Sequence, residues 1–175
     1  NPNLIRAGDV DSDGDIDIVA DHVDGELRLL ENLGGGHYAP SVRIVDVAAM
    51  RDASLVDLDG DGDLDLVGLD SGLFFSFRGA AGFGARQDVA LNATAFTVAD
   101  MDGDGDADLV IGRQVMPRLV VRANDGSGSF GPPVALPRSS DRIDLLASED
   151  LDGDGDRDLA VIADSILYLL EQGPG

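Results

Sequence analysis

The chain has 175 residues, the length of a single domain, and its 43% hydrophobic content is enough to build a buried core. Its 34 acidic residues against 12 basic ones give a net charge of −22, the wrong sign for general nucleic-acid or anionic-membrane binding. There is no cysteine, which excludes a disulfide framework, a thiolate zinc site and a cysteine nucleophile, and no run of about 18 apolar residues to span a membrane. Of the acids 30 are Asp and only 4 are Glu, every base is Arg, and 23 residues are Gly, a composition that disfavours helices. The first residue is Asn rather than Met and no signal peptide is visible, so a mature, trimmed or partial chain is expected.

In chain order, the first short apolar stretch is Leu4-Ile5. It leads into the acidic loop Asp9-Val10-Asp11-Ser12-Asp13-Gly14-Asp15-Ile16-Asp17. A run Ile18-Val19-Ala20 follows, then Leu27-Arg28-Leu29-Leu30, the glycine turn Gly34-Gly35-Gly36, and a weaker run Val42-Arg43-Ile44-Val45. The same order returns with Ser54-Leu55-Val56, a loop carrying Asp57, Asp59, Asp61, Gly62, Asp63 and Asp65, then Leu66-Val67-Gly68, Leu73 to Phe77, Gly79 to Gly84, and Asp88 to Leu91. It returns again with Phe96-Thr97-Val98, a loop carrying Asp100, Asp102, Asp104, Gly105, Asp106 and Asp108, then Leu109-Val110-Ile111, Leu119-Val120-Val121, Asn124 to Gly131, and Val134-Ala135-Leu136. The last copy has Ile143 to Leu146, a loop carrying Asp150, Asp152, Asp154, Gly155, Asp156 and Asp158, then Leu159 to Ile162 and Ile166 to Leu170, with no fourth stretch before Gly175. Loop starts lie 48, 43 and 50 residues apart. Apolar runs of four to six residues, bounded by Gly, Pro and Asp, predict strands. Four strands in a 43–50-residue unit predict a β-propeller of four-stranded antiparallel blades, about 3–47, 52–92, 94–137 and 142–175, the last lacking its outer strand.

The four loops hold 20 of the 30 Asp, leaving 14 acids against 11 bases elsewhere. Acidity this local calls for a cation. Carboxylates at positions 1, 3 and 5 converge if the chain curls, Gly at position 6 permits the curl, position 7 offers its carbonyl, and Asp at position 9 closes the cage. A set of hard oxygen donors suits Ca²⁺, whereas zinc would want His or Cys. Without an ion the carboxylates would repel one another by about 1 kcal/mol or more per close pair. One calcium per loop, about four in all, is therefore expected. An EF-hand is excluded because position 12 is Ala20, Gly68, Ile111 or Val161, each inside a strand-like run. Tandem nonapeptide repeats need loops closer together than these, and thrombospondin-type calcium wires need cysteines.

On these loops, with Phe83-Gly84 and Phe130-Gly131 as "FG" elements and Tyr38-Ala39-Pro40 and Gly131-Pro132-Pro133 near the "GAP" turns, the chain resembles the FG-GAP/VCBS repeats of integrin α-subunit propellers and bacterial secreted proteins. The resemblance implies a calcium loop between the innermost strand of each blade and the next strand. It also implies an exported or cell-surface interaction module without catalytic activity. Integrin-like propellers have seven blades, so four repeats leave three readings: a closed four-bladed ring, a half that pairs as a homodimer, or a segment of a larger chain. The partner is a protein or a glycan. A calcium-dependent lectin is the alternative, since similar propellers in fungal lectins bind sugars between blades; part of a polysaccharide lyase is the third reading. His22 and His37 read as exposed loop residues, and Asn92-Ala93-Thr94 fits a glycosylation acceptor.

Overall fold

A computed structural model of the protein describes residues 4–137 and 140–171. The first three residues and the end of the last repeat, 172–175, lie outside the described residues. Every regular element among the described residues is a β-strand. Strands β1 (Ile5–Gly8), β2 (Asp17–His22), β3 (Glu26–Leu30) and β4 (Val42–Asp46) form one antiparallel meander in that order. The second sheet runs β10 (Gln87–Ala90), β7 (Leu73–Ser76), β6 (Asp65–Leu69), β5 (Asp52–Val56). Between β7 and β10 in the chain lies a small hairpin of β8 (Arg78–Gly79) and β9 (Gly82–Phe83), which the sequence reading takes as a plain glycine turn. The third sheet orders β11 (Ala93–Ala99), β12 (Asp108–Arg113), β13 (Leu119–Arg122) and β14 (Val134–Ala135). The fourth has β15 (Ile143–Glu149), β16 (Asp158–Ala163) and β17 (Ile166–Leu170). Each acidic loop connects the first strand of its sheet to the second, and every described pairing between neighbours is antiparallel.

The chain forms two compact units: Asn1–Asp57 with Asp61–Leu91, and Leu58–Gly60 with Asn92–Gly175. In the first, β1 lies beside β5, and Arg6 of β1 donates from Nε to the Ala53 carbonyl at 2.6 Å. Alternation along β2 and β3 turns Val19, Leu27 and Leu29 inward, where they meet Leu66 and Phe74 of the next sheet. Gly68 is required here, because a Cβ would lie 2.3 Å from the Phe74 ring. In the second unit β11 runs along β15, tied by the Thr94 hydroxyl donating to the Ile143 carbonyl at 2.8 Å and by a 3.1 Å bond between Thr97 and Ser148 hydroxyls. Val110 and Leu119 pack there against Ile143, Leu159 and Val161. Register places Leu145, Ile162 and Leu167 in one row of the fourth sheet and Ala147, Ala160 and Leu169 in the next. Leu145, Leu167 and Leu169 on this face are 61%, 62% and 55% exposed, unusual for leucines on a sheet.

Candidate functional site

The four loops share one backbone. Position 6 is left-handed in each: Gly14, Gly62, Gly105 and Gly155 have φ between 94° and 100°. Position 4 is left-handed too, with φ of 56° at Ser12 and 74–81° at Gly60, Gly103 and Gly153. That second constraint is visible in the sequence only as a preference for glycine, which Ser12 breaks. Ser12 is secured by its hydroxyl donating to the Gly62 carbonyl.

The curl lets the first carboxylate collect backbone amides. Asp9 accepts from Asp13 at 3.0 Å and Gly14 at 2.9 Å, Asp57 from Gly62 at 3.0 Å, and Asp100 from Gly103 and Gly105 at 2.8 and 2.9 Å. Asp150 does the same with Gly153 and Gly155. Position 5 accepts the amide of position 7: Asp13 from Asp15, Asp61 from Asp63, Asp104 from Asp106, Asp154 from Asp156. These bonds aim the carboxylates inward. Oxygens of Asp9, Asp11 and Asp13 lie within 4.8 Å of one another, as do those of Asp57, Asp59 and Asp61. The same holds for Asp100, Asp102 and Asp108, and for Asp150, Asp152 and Asp158.

Position 9 joins the carboxylate group only in the third and fourth loops, as Asp108 and Asp158, where it replaces position 5, Asp104 and Asp154. Asp17, Asp65, Asp108 and Asp158 are completely buried. Asp17 accepts the amides of Val10 at 2.9 Å and Asn32 at 2.7 Å, and Asp108 those of Met101 and Asn124, both at 2.8 Å. Asp65 takes the Arg78 amide and Asp158 the Leu151 amide. In the first and third loops the ninth carboxylate thus brackets the loop to the end of the third strand. The sequence reading missed its partner position, Asn32 and Asn124, whose side-chain amides donate to the loop carbonyls of Ile16 and Ala107 at 3.2 Å. The signal was present as Asn-x-Gly-x-Gly-x-(Tyr/Phe), which closes as a hairpin bridging Asn32 to Tyr38 and Asn124 to Phe130. Position 7 belongs to none of the four carboxylate groups. Asp15 and Asp106 instead lie against Gly34 and Gly126, where a Cβ would come within 2.8 and 2.5 Å of their oxygens.

Electrostatics in the second unit are strained by this crowding. Burial, then the neighbouring carboxylates of Asp104 and Asp100, raise the Asp106 carboxyl above its ordinary range. Burial also raises Asp108, against the lowering effect of the Asn124 and Met101 amides. The donor set is entirely hard oxygen, and Oδ1 of Asp11 is buried without receiving a hydrogen bond. Both features fit a hard divalent cation such as calcium. His22 pairs with Asp24 at 3.0 Å on the surface and His37 is exposed, as the sequence reading expects, but His22 is the last residue of β2, paired with Glu26, rather than a loop residue.

The sequence model of the FG-GAP-like repeat matches residues 7–68 and 100–161, well over half of the chain, each match holding two acidic loops. Among curated proteins, none matches significantly. Among solved structures the fold is similar to that of a lectin from Agrocybe aegerita that recognises non-reducing terminal N-acetylglucosamine. The TM-score is 0.63 and the identity 23%, covering 89% of this chain and 45% of that one. The Tc holotoxin pore of Photorhabdus luminescens is similar with a TM-score of 0.56 and 20% identity, over 94% of this chain and 8% of that one. The V. cholerae biofilm matrix protein Bap1 gives 0.55 and 20%, over 90% of this chain and 23% of that one. The chain therefore spans less than half the length of each, and at these identities the likeness is one of β-propeller-like fold.

Proposed function

Because the chain belongs to the FG-GAP-like repeat family, we propose that it is a calcium-binding β-propeller module of an exported or cell-surface protein, used for interaction rather than catalysis. The observation that carries this reading is the recurrence of four groups of three carboxylates, each built on loop positions 1 and 3 and completed by position 5 in the first two loops and by position 9 in the last two. Bound calcium would supply charge neutralisation and a bridge between carboxylates. The loop residues do the rest. Asp9, Asp11 and Asp13, with their counterparts at positions 1, 3 and 5 of the other loops, offer oxygens; Asp17, Asp65, Asp108 and Asp158 add a buried carboxylate, the first three of them also holding an amide beyond the third strand; Asp15, Asp63, Asp106 and Asp156 add charge at the rim. The four repeats act as a closed ring, as a half that pairs with a second copy, or as a segment of a longer chain, and mass in solution separates the pairing half from the other two. Titration of the chain with calcium by calorimetry is expected to give about four ions per chain, one for each loop. Absence of binding heat at millimolar calcium would overturn the reading.

A second reading, calcium-dependent glycan binding, is favoured by the lectin likeness and by a cavity of about 310 Å³ in the first unit lined by Asp21, His22, Val23, Gly25 and residues 47–50. A glycan array probed with and without chelator tests it. A specific hit lost on calcium removal supports it, and an empty array leaves the protein-interaction reading in place.

A further inference from the structure

Where the first and third repeats carry Asn32 and Asn124, the second carries Arg78. The equivalence is structural. Arg78 opens a hairpin that pairs with Phe83, as Asn124 bridges to Phe130, and its amide donates to Asp65 at 2.7 Å, as the Asn124 amide donates to Asp108. The side chain, however, leaves its own loop. It runs to the first loop and donates from Nη2 to Oδ2 of Asp11 at 3.3 Å, across 67 residues of sequence. Both partners are well covered, with side chains 10% and 20% exposed. The guanidinium carbon lies 5.7 Å from the centre of the Phe83 ring, and Nε is buried without an acceptor. A half-buried cation held this way is committed to its place.

Asp11 is no ordinary partner. It is position 3 of the first loop, grouped with Asp9 and Asp13. Arg78 is the positive charge that answers this carboxylate group. Among the described residues no arginine reaches the carboxylates of the third loop, which keeps Asn124.

We propose that Arg78 is a built-in counter-cation of the first loop, so that calcium entering there competes with the guanidinium for Asp11 and this loop fills at higher calcium than the third. The inference rests on the calcium reading above. Its physical basis is that a fixed positive charge a few ångströms from a divalent ion opposes its entry, and about 1.4 kcal/mol of opposition is tenfold in affinity.

The test is a calcium titration followed through the amide resonances of Gly14 in the first loop and Gly105 in the third. In the unaltered protein the Gly14 midpoint is expected at roughly tenfold higher calcium. The variant Arg78→Asn restores the residue its sister repeats use, and it should bring the two midpoints together while leaving Gly105 in place. The calcium-free variant should also melt below the parent, because Asp11 loses its counter-charge. Coincident midpoints in the parent, a gap that survives in Arg78→Asn, or an unchanged calcium-free melting temperature would each overturn the proposal. If neither glycine responds to calcium, the calcium reading fails and the proposal falls with it.

Discussion

Ser12 and Gly14 stand in the same kind of backbone, φ of 56° and 94°, yet only one of them is the residue such a conformation favours. At the sixth position a Cβ would meet nothing within 4 Å in any loop, so substitution there tests the backbone alone. Gly105→Ala is expected to lower stability by roughly 1–2 kcal/mol in denaturant unfolding, the cost of left-handed backbone for an L-residue. An unchanged midpoint would mean that the loop relaxes out of the curl. The carboxylate of Asp70 poses a different problem. Its side chain is 2% exposed, and Arg86 pairs with it through two bonds of 2.8 and 3.0 Å while stacking 3.9 Å over the Phe74 ring. Burial pushes the Asp70 carboxyl up, but Arg86 and the amides of Ala48 and Gly72 hold it well below the ordinary range. A carboxyl depressed in the folded state adds stability above its unfolded pKa, and that stability drains away as pH falls through and below the ordinary carboxylate range. Asp70→Asn should therefore be less stable than the parent at neutral pH, with the gap closing in acid. Arg86→Leu, which strands a buried charge, should cost about 3 kcal/mol at neutral pH, read from urea unfolding.

At the level of strands, the sheets of each unit stand close because small residues let them. Gly112 of β12 is a case: a Cβ would lie 2.7 Å from Cγ2 of Ile143 and 3.2 Å from the Thr94 hydroxyl. Gly112→Ala is expected to cost about 1–3 kcal/mol by overpacking. The double variant with Ile143→Ala should lose less than the sum of the two single losses, measured in a double-mutant cycle. The strands themselves are legible in the sequence because each apolar run is fenced by an acidic loop or a glycine turn. The hairpin Arg78–Phe83 is not, since Arg-Gly-Ala-Ala-Gly-Phe has neither alternation nor β-branching to mark a strand. The same division holds at the site. The spacing of aspartates announces the convergence of carboxylates, because convergent charge is a local property of nine residues. That Asp17 and Asp108 also bind the amides of Asn32 and Asn124 depends on a hairpin 15 and 16 residues away, and the reach of Arg78 to Asp11 depends on two sheets meeting. Periodicity carries no trace of either.

Taken whole, the molecule is a charge of −22 with most of its aspartates gathered at four points. Removing calcium with a chelator is expected to lower the melting temperature, and added monovalent salt should recover part of the loss by screening. Salt that recovers nothing would show that repulsion between carboxylates is not what calcium relieves. The leucine-bearing face of the fourth sheet has a practical corollary. Leu145, Leu167 and Leu169 offer a folded, ordered surface to which an environment-sensitive fluorescent dye can adhere. A dye such as ANS should light up on the intact protein before any heating, so thermal scans that read dye uptake as loss of structure will start from a bright baseline.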